Sequence, residues 1–168
     1  MLILIDAFQP EGITKIVQDS VFMMPHLGVL STVQPKVAME ILEKDCLVHL
    51  GTCIAPKGIL KEEEESVLNM KIVSSDDKII EEEFMIGDLK RINIPTGKIV
   101  TVVLTPEKNF DVGLGIGRPV STTIEGGEVG IIVDVRGRPI IFPSDKERIK
   151  ENAIKWYKDL DMYPKYKN

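Results

Sequence analysis

The hydrophobic pattern changes period along the chain. Residues 1–8 are apolar and run into Gln9-Pro10-Glu11-Gly12, where proline and glycine punctuate the chain, so they read as a helix or strand that stops there. Residues 13–19 form a β-branched run suited to a strand. Residues 21–30 are strongly apolar and interrupted by Pro25 and Gly28, and a buried irregular or short helical piece is expected. Pro35 then opens a helix through about Lys44, with Val37, Ala38, Ile41 and Leu42 at helical spacing and proline in the first turn.

From Cys46 to Pro143 the period becomes two. Leu68, Met70 and Ile72 share one strand face, Ile80, Phe84 and Ile86 share one face of the next, and residues 74–78 have the composition of a hairpin loop. Residues 89–94 and 99–104 around Pro95-Thr96-Gly97 predict a second hairpin, its latter strand apolar on both faces and central. Residues 129–135 and 138–142 around Gly137 predict a third. The tail predicts a helix with Ser144 as N-cap, Glu147 completing a capping box, and an apolar stripe of Ile149, Ala153, Trp156 and Leu160. The chain therefore reads as α+β: a small helix–strand–helix unit (residues 1–45), an antiparallel β barrel or sandwich (46–143) and a C-terminal helix packed on it (144–168).

Composition narrows the function classes. A length of 168 residues with 43% hydrophobic positions suffices for one good core. Apolar runs stay far below the ~20 residues of a membrane span, and no signal peptide is evident, so a cytoplasmic protein is expected. A net charge of −5 argues against nucleic acid as the main partner. The acidic runs at residues 61–65 and 81–83 read as solvated edges rather than a metal site.

Candidate chemistry is sparse. Cys46 and Cys53 with His26 and His49 are the soft candidates for a nucleophile and base, but Cys46 and His49 would lie on opposite faces of a strand, and buried structural cysteines are expected. Their spacing does not fit a structural zinc site. Gly113, Gly115 and Gly117 run into Arg118-Pro119 instead of a helix, which favours a glycine-rich turn over a dinucleotide loop. Asp134-Val135-Arg136-Gly137-Arg138-Pro139 is the most interesting polar cluster: two arginines flanking a glycine could grip a carboxylate or phosphate of a ligand or partner, whereas the plain alternative is a solvated hairpin tip with a local Asp–Arg pair. Asp6, Asp19 and Asp111 are scattered acids without a visible partner, and no general acid–base pair is specified. No catalytic residue, metal or cofactor is therefore assigned. The tentative binding residues are Asp134, Arg136, Gly137 and Arg138, with Gly113, Gly115 and Arg118.

Residues 4–14 (LIDAFQPEGIT) and 19–30 (DSVFMMPHLGVL) resemble the late part of the MutL/GlmL-type accessory proteins of glutamate mutase, and the similarity continues through residues 50–56, 110–113, 126–130 and 134–139. The resemblance implies the end of an actin/Hsp70-type ATP-binding domain in residues 1–45, followed by the β domain. It also implies a chaperone-like or reactivating role toward an adenosylcobalamin-dependent mutase. The phosphate loops, magnesium-handling acids and adenosine loop of that family have no counterpart in this chain, and the glycine-rich loop would lie upstream of Met1. An interaction module without turnover is thus the first expectation. A small-molecule or nucleotide-binding β domain using Gly113–Gly117 and the arginines is the second, and a thiol enzyme built on Cys53 is the third. The apolar face of residues 1–30 would stand without its original cover, which favours self-association as a homodimer.

Overall fold

The β-branched residues Ile13, Thr14, Ile16 and Val17 build β1 (Gly12–Asp19), which pairs antiparallel with β2 (Leu47–Ala55) from Gly12↔Ala55 to Asp19↔Leu47. In this computed structural model, which describes residues 1–59, 66–76 and 78–162, the chain is α+β. β10 (Gly130–Asp134) runs parallel to β2 and antiparallel to β6 (Leu89–Ile92), giving the order β1-β2-β10-β6. A second four-stranded antiparallel sheet has the order β5 (Ile79–Met85), β4 (Ser66–Ser74), β7 (Ile99–Pro106), β9 (Val120–Glu125). The short strands β3 (Lys57–Gly58) and β8 (Phe110–Asp111) pair with each other. Among the described residues the sheets do not close into a barrel.

The two large sheets share one core, in which Ile54, Ile92, Ile131 and Val133 meet Leu68, Met70, Ile72, Phe84, Val102 and Leu104. The opposite face of the first sheet is covered by α1 (Leu2–Phe8) and α4 (Lys146–Asp159), whose Ile5 and Trp156, with Leu160 just past α4, pack with Cys53, Ala55, Leu89 and Ile132. All of β10 is buried, as its unbroken apolar run requires of a strand covered on both faces. The backbones of β2 and β10 meet closely at Gly51, where a Cβ would lie 2.1 Å from the Gly130 carbonyl oxygen. The segment 1–45 is therefore joined to the β region through a full antiparallel ladder between β1 and β2.

Several expectations hold. Residues 13–19 are a strand, the chain turns at residues 75 and 76 between β4 and β5, β7 is central, and Cys46 and Cys53 are free and buried. Leu68, Met70 and Ile72 face the core, but on β5 Phe84 is buried and Ile80 is exposed, because β5 is an edge strand. Glu81 and Glu83 lie on that solvated edge, while residues 61–65 fall outside the described residues.

Three predicted features are corrected. Residues 89–94 and 99–104 are not a hairpin: β7 has both edges occupied by the longer ladders of β4 and β9, and β6 crosses to complete the first sheet beside β10. Residues 138–142 are not a strand, because their donors are engaged elsewhere; Ile141 N–H bonds the Arg136 carbonyl at 3.1 Å and Ile140 N–H bonds Gln9 Oε1 at 2.8 Å. The α4 cap is Asp145, whose carboxylate accepts from Glu147 N–H at 3.1 Å, not Ser144.

Residues 21–30 hold the expected short helical piece but not the expected burial. They contain α2 (Met24–Ser31), which packs on α3 (Pro35–Ile41), and α3 runs through a single π-helical turn (Leu42–Cys46) into β2. Of α2 and α3 only Leu27 and Ala38 are buried, so this apolar hairpin stands off the sheets. No helix among the described residues is long and apolar enough to cross a membrane.

Candidate functional site

Asp134 ends β10 on the α1 side of the first sheet, two positions after Ile132, and its side chain is 0% exposed. A bare carboxylate there would be costly to bury. Arg136 meets it in a fork, Nε donating to Oδ1 at 2.9 Å and Nη2 to Oδ2 at 2.8 Å, while the Arg136 backbone N–H adds a bond to Oδ1 at 3.1 Å. Arg138 Nη2 donates to Oδ2 at 3.0 Å. The turn between the two arginines passes through Gly137 at φ 98, a conformation that favours glycine, and this reversal lets both guanidiniums reach one carboxylate.

The network extends to α1 and α4. Arg136 Nη2 also donates to Asp6 Oδ1 at 2.6 Å, and the Arg136 guanidinium lies 5.4 Å from the Trp156 ring centre. Trp156 Nε1 donates to the Gly87 carbonyl at 2.8 Å. Arg138 Nε donates to the Pro10 carbonyl at 2.7 Å and its Nη1 to the Gly137 carbonyl at 2.8 Å. Burial pushes the Asp134 carboxyl up, but the hydrogen bonds and charges of Arg136 and Arg138 outweigh it and hold the group below the usual carboxylate range. Burial lowers Arg136 in turn, and Asp134 with Asp6 more than restores it, so the guanidinium stays charged.

The carboxylate that the arginines hold is the chain's own Asp134. The local Asp–Arg pair of the plain alternative is present, but it is corrected in its setting: Asp134, Arg136 and Arg138 form a buried staple instead of a solvated tip. Asp6 and Gln9 were not readable as members, because contacts across about 130 positions leave no local periodicity, and Trp156 read only as part of the tail helix's apolar stripe.

Gly113, Gly115 and Arg118 lie in a separate loop, and among the described residues no hydrogen bond or ion pair joins them to the arginine staple. The loop is the expected glycine-rich turn: Gly113 and Gly115 have φ 120 and 107, and their N–H groups donate to Asp111 Oδ1 at 2.7 and 2.8 Å. Those two bonds hold the Asp111 carboxyl below its ordinary value. The amides that could cradle a phosphate are thus already engaged by a carboxylate of the chain itself.

Cys53 is fully buried beside this staple. Burial, with the Asp134 charge adding to it, pushes its thiol up to about 12, opposite to the lowered value that thiol nucleophiles need. Among the described residues no group of three His, Cys, Asp or Glu side chains gathers to hold a metal ion. Residues 8–12 connect the staple to the glycine loop: Pro10 binds Arg138, and a Cβ on Gly12 would sit 3.2 Å from the Val112 carbonyl oxygen. At this end of the molecule Phe8, Leu114, Ile116, Ile141 and Phe142 are all exposed. No family model, curated protein or solved structure matches the chain.

Proposed function

We propose that this chain is a non-catalytic accessory module that docks on a partner protein, as its resemblance to the C-terminal region of glutamate mutase accessory proteins implies. The partner class is an adenosylcobalamin-dependent mutase, and the setting is the cytoplasm. The observation that carries the reading is the distribution of groups at the Gly12 end of β1. The polar side chains that could bind a small anion are turned inward onto Asp134, while Ile141 and Phe142 are exposed just after the staple and Leu114 and Ile116 on the separate glycine loop that Asp111 closes. Exposed apolar side chains on a fixed base suit protein docking better than capture of a nucleotide. The order α1, β1, α2 also follows the helix, strand and closing segment that the resemblance implies.

The test combines two measurements on the purified chain. Thermal-shift titration with ATP, ADP and adenosylcobalamin is expected to leave the melting temperature unchanged. Calorimetric titration with a purified adenosylcobalamin-dependent glutamate mutase is expected to show saturable binding, lost in Ile116→Asp/Ile141→Asp while Tm stays within about 2 °C, as expected for surface changes. A saturable shift with a nucleotide would establish the small-molecule reading instead. Mutase binding undisturbed by the double variant would move the docking surface elsewhere.

A further inference from the structure

Toward the Gly130 end of β10, away from the Asp134 staple, a cavity of about 230 Å³ opens between the start of α1 and the end of α4. Leu2, Val129, Ile132 and Leu160 give it apolar walls. Arg91 stands across the β6–β10 ladder from Ile132, so its side chain rises from the same sheet face, and it lines the cavity too. Glu128 and Asp161 complete the charged lining. Two of these groups are anchored and yet lack a counter-charge. Arg91 Nε donates to the Val129 carbonyl at 2.7 Å and Nη2 reaches Asn93 Oδ1 at 3.4 Å, while Nη1 has no partner and no carboxylate among the described residues pairs with the guanidinium. Glu128 and Val129 are fixed to β2 through their N–H groups, which donate to the His49 and Leu50 carbonyls at 3.1 and 2.7 Å. The Glu128 carboxylate accepts from the Thr96 hydroxyl at 3.3 Å and has no cation beside it. Glu11, Glu81, Glu82 and Glu125, by contrast, each pair with a lysine. An arginine and a glutamate that line one small cavity are thus held apart by their anchors instead of closing into a pair.

We propose that this cavity binds a free amino acid with an aliphatic side chain, of the size of leucine. The Arg91 Nη groups take the α-carboxylate, Glu128 takes the α-ammonium, and Leu2, Ile132 and Leu160 receive the side chain. With Nε already tied to the backbone, the guanidinium keeps its outer fork for a carboxylate, and its orientation is set before the ligand arrives. Charge selects the class. The charged side chains lining the cavity are one arginine and two acids, so a plain carboxylate or phosphate is repelled by Glu128 and Asp161 and a plain amine by Arg91, whereas a zwitterion satisfies both signs. Size agrees, since 230 Å³ falls below the ~300–1,000 Å³ of sites for drug-sized ligands and leaves no room for a nucleotide.

Gly130 pairs with Gly51, whereas the docking loops lie at the other end of β2, where Gly12 meets Ala55, so the two proposals fail separately. Heteronuclear NMR titration of the full chain with L-leucine, up to about 20 mM, is expected to shift the Arg91, Val129 and Ile132 amides along one saturable curve. The dissociation constant should be on the order of 1 mM, as suits a ligand of about nine non-hydrogen atoms. 4-Methylpentanoate, which lacks the ammonium, and 3-methylbutylamine, which lacks the carboxylate, should each bind at least ~10-fold more weakly, the lower worth of a charge-assisted bond. Glu128→Gln, which keeps an acceptor for Thr96, should weaken leucine by the same factor and leave 4-methylpentanoate no weaker than before. Arg91→Gln should also weaken leucine, and where loss of the bond to Val129 disturbs the fold, Glu128→Gln decides. No shift up to about 20 mM, an analogue that binds as well as leucine, or leucine binding unchanged in Glu128→Gln would overturn the proposal.

Discussion

Replacing Arg136 by methionine tests whether the Asp134 staple is a buried ionic core. Methionine keeps much of the packing volume but removes the two side-chain bonds to Asp134 and the bond to Asp6. Charge-assisted bonds of this kind contribute about 1.5–3 kcal/mol each, and removing one partner of a buried pair costs about 3–5 kcal/mol. The side chains of Arg136 and Asp134 are 4% and 0% exposed, so solvent does not screen the loss. A destabilisation of about 3–4 kcal/mol is expected, read in urea as a midpoint lowered by roughly 1.5–2 M for a slope near 2 kcal/mol/M. Acid should erase the difference. The folded Asp134 pKa lies below its unfolded value, so its stabilisation is complete above the ordinary carboxyl value of about 3.9 and is lost as pH falls through the folded pKa. The gap between wild type and variant should therefore stay constant from pH 8 to 5 and close below about pH 4. A loss under ~1 kcal/mol at pH 7 would mean that the pair behaves as a surface pair and that the staple is solvated. The staple also bars Arg136 and Arg138 as probes of partner binding, since their removal disturbs the fold first.

Two further outcomes follow from the packing. Gly51→Ala places a methyl 2.1 Å from the Gly130 carbonyl oxygen at φ 153, so the β2–β10 pair must separate; Tm should fall by at least ~6 °C, about 3 kcal/mol at this chain length, and an unchanged Tm would refute the close approach. Cys53, with its thiol pushed up to about 12, and buried Cys46 should both resist Ellman's reagent at pH 8 in the native protein and react at once in 6 M guanidinium; fast native labelling of Cys53 would show that the sheet face under α1 is open, and of Cys46 that the turn before β2 is.

Legibility in the sequence followed the range of the forces involved. β1, the β4–β5 hairpin and the tail helix were readable because period, turn composition and caps act within a few residues, and the tail cap was missed by one position because Ser144 and Asp145 both carry suitable oxygens. The false hairpin at residues 89–104 shows the limit of that reading. Two apolar runs around a Pro-x-Gly turn look alike whether the chain folds back on itself or crosses to another sheet, and here the partner of β6 is β10, some forty positions away. The staple lay between these cases. Two arginines two residues apart around a glycine announced a grip on an acid, and Asp134 stood close in sequence, but the direction of the grip was set by α1 and β10 packing on one face, which brings Asp6 to Arg136.

The α2–α3 hairpin is the sharpest conflict between composition and environment. Residues 21–30 read as buried on composition, and a helix this rich in apolar residues is ordinarily well covered. In the isolated fold Phe22 and Val29 instead face water. Local preference and global fold agree over most of a natural sequence, so a segment where they disagree marks a place where something outside the fold completes it.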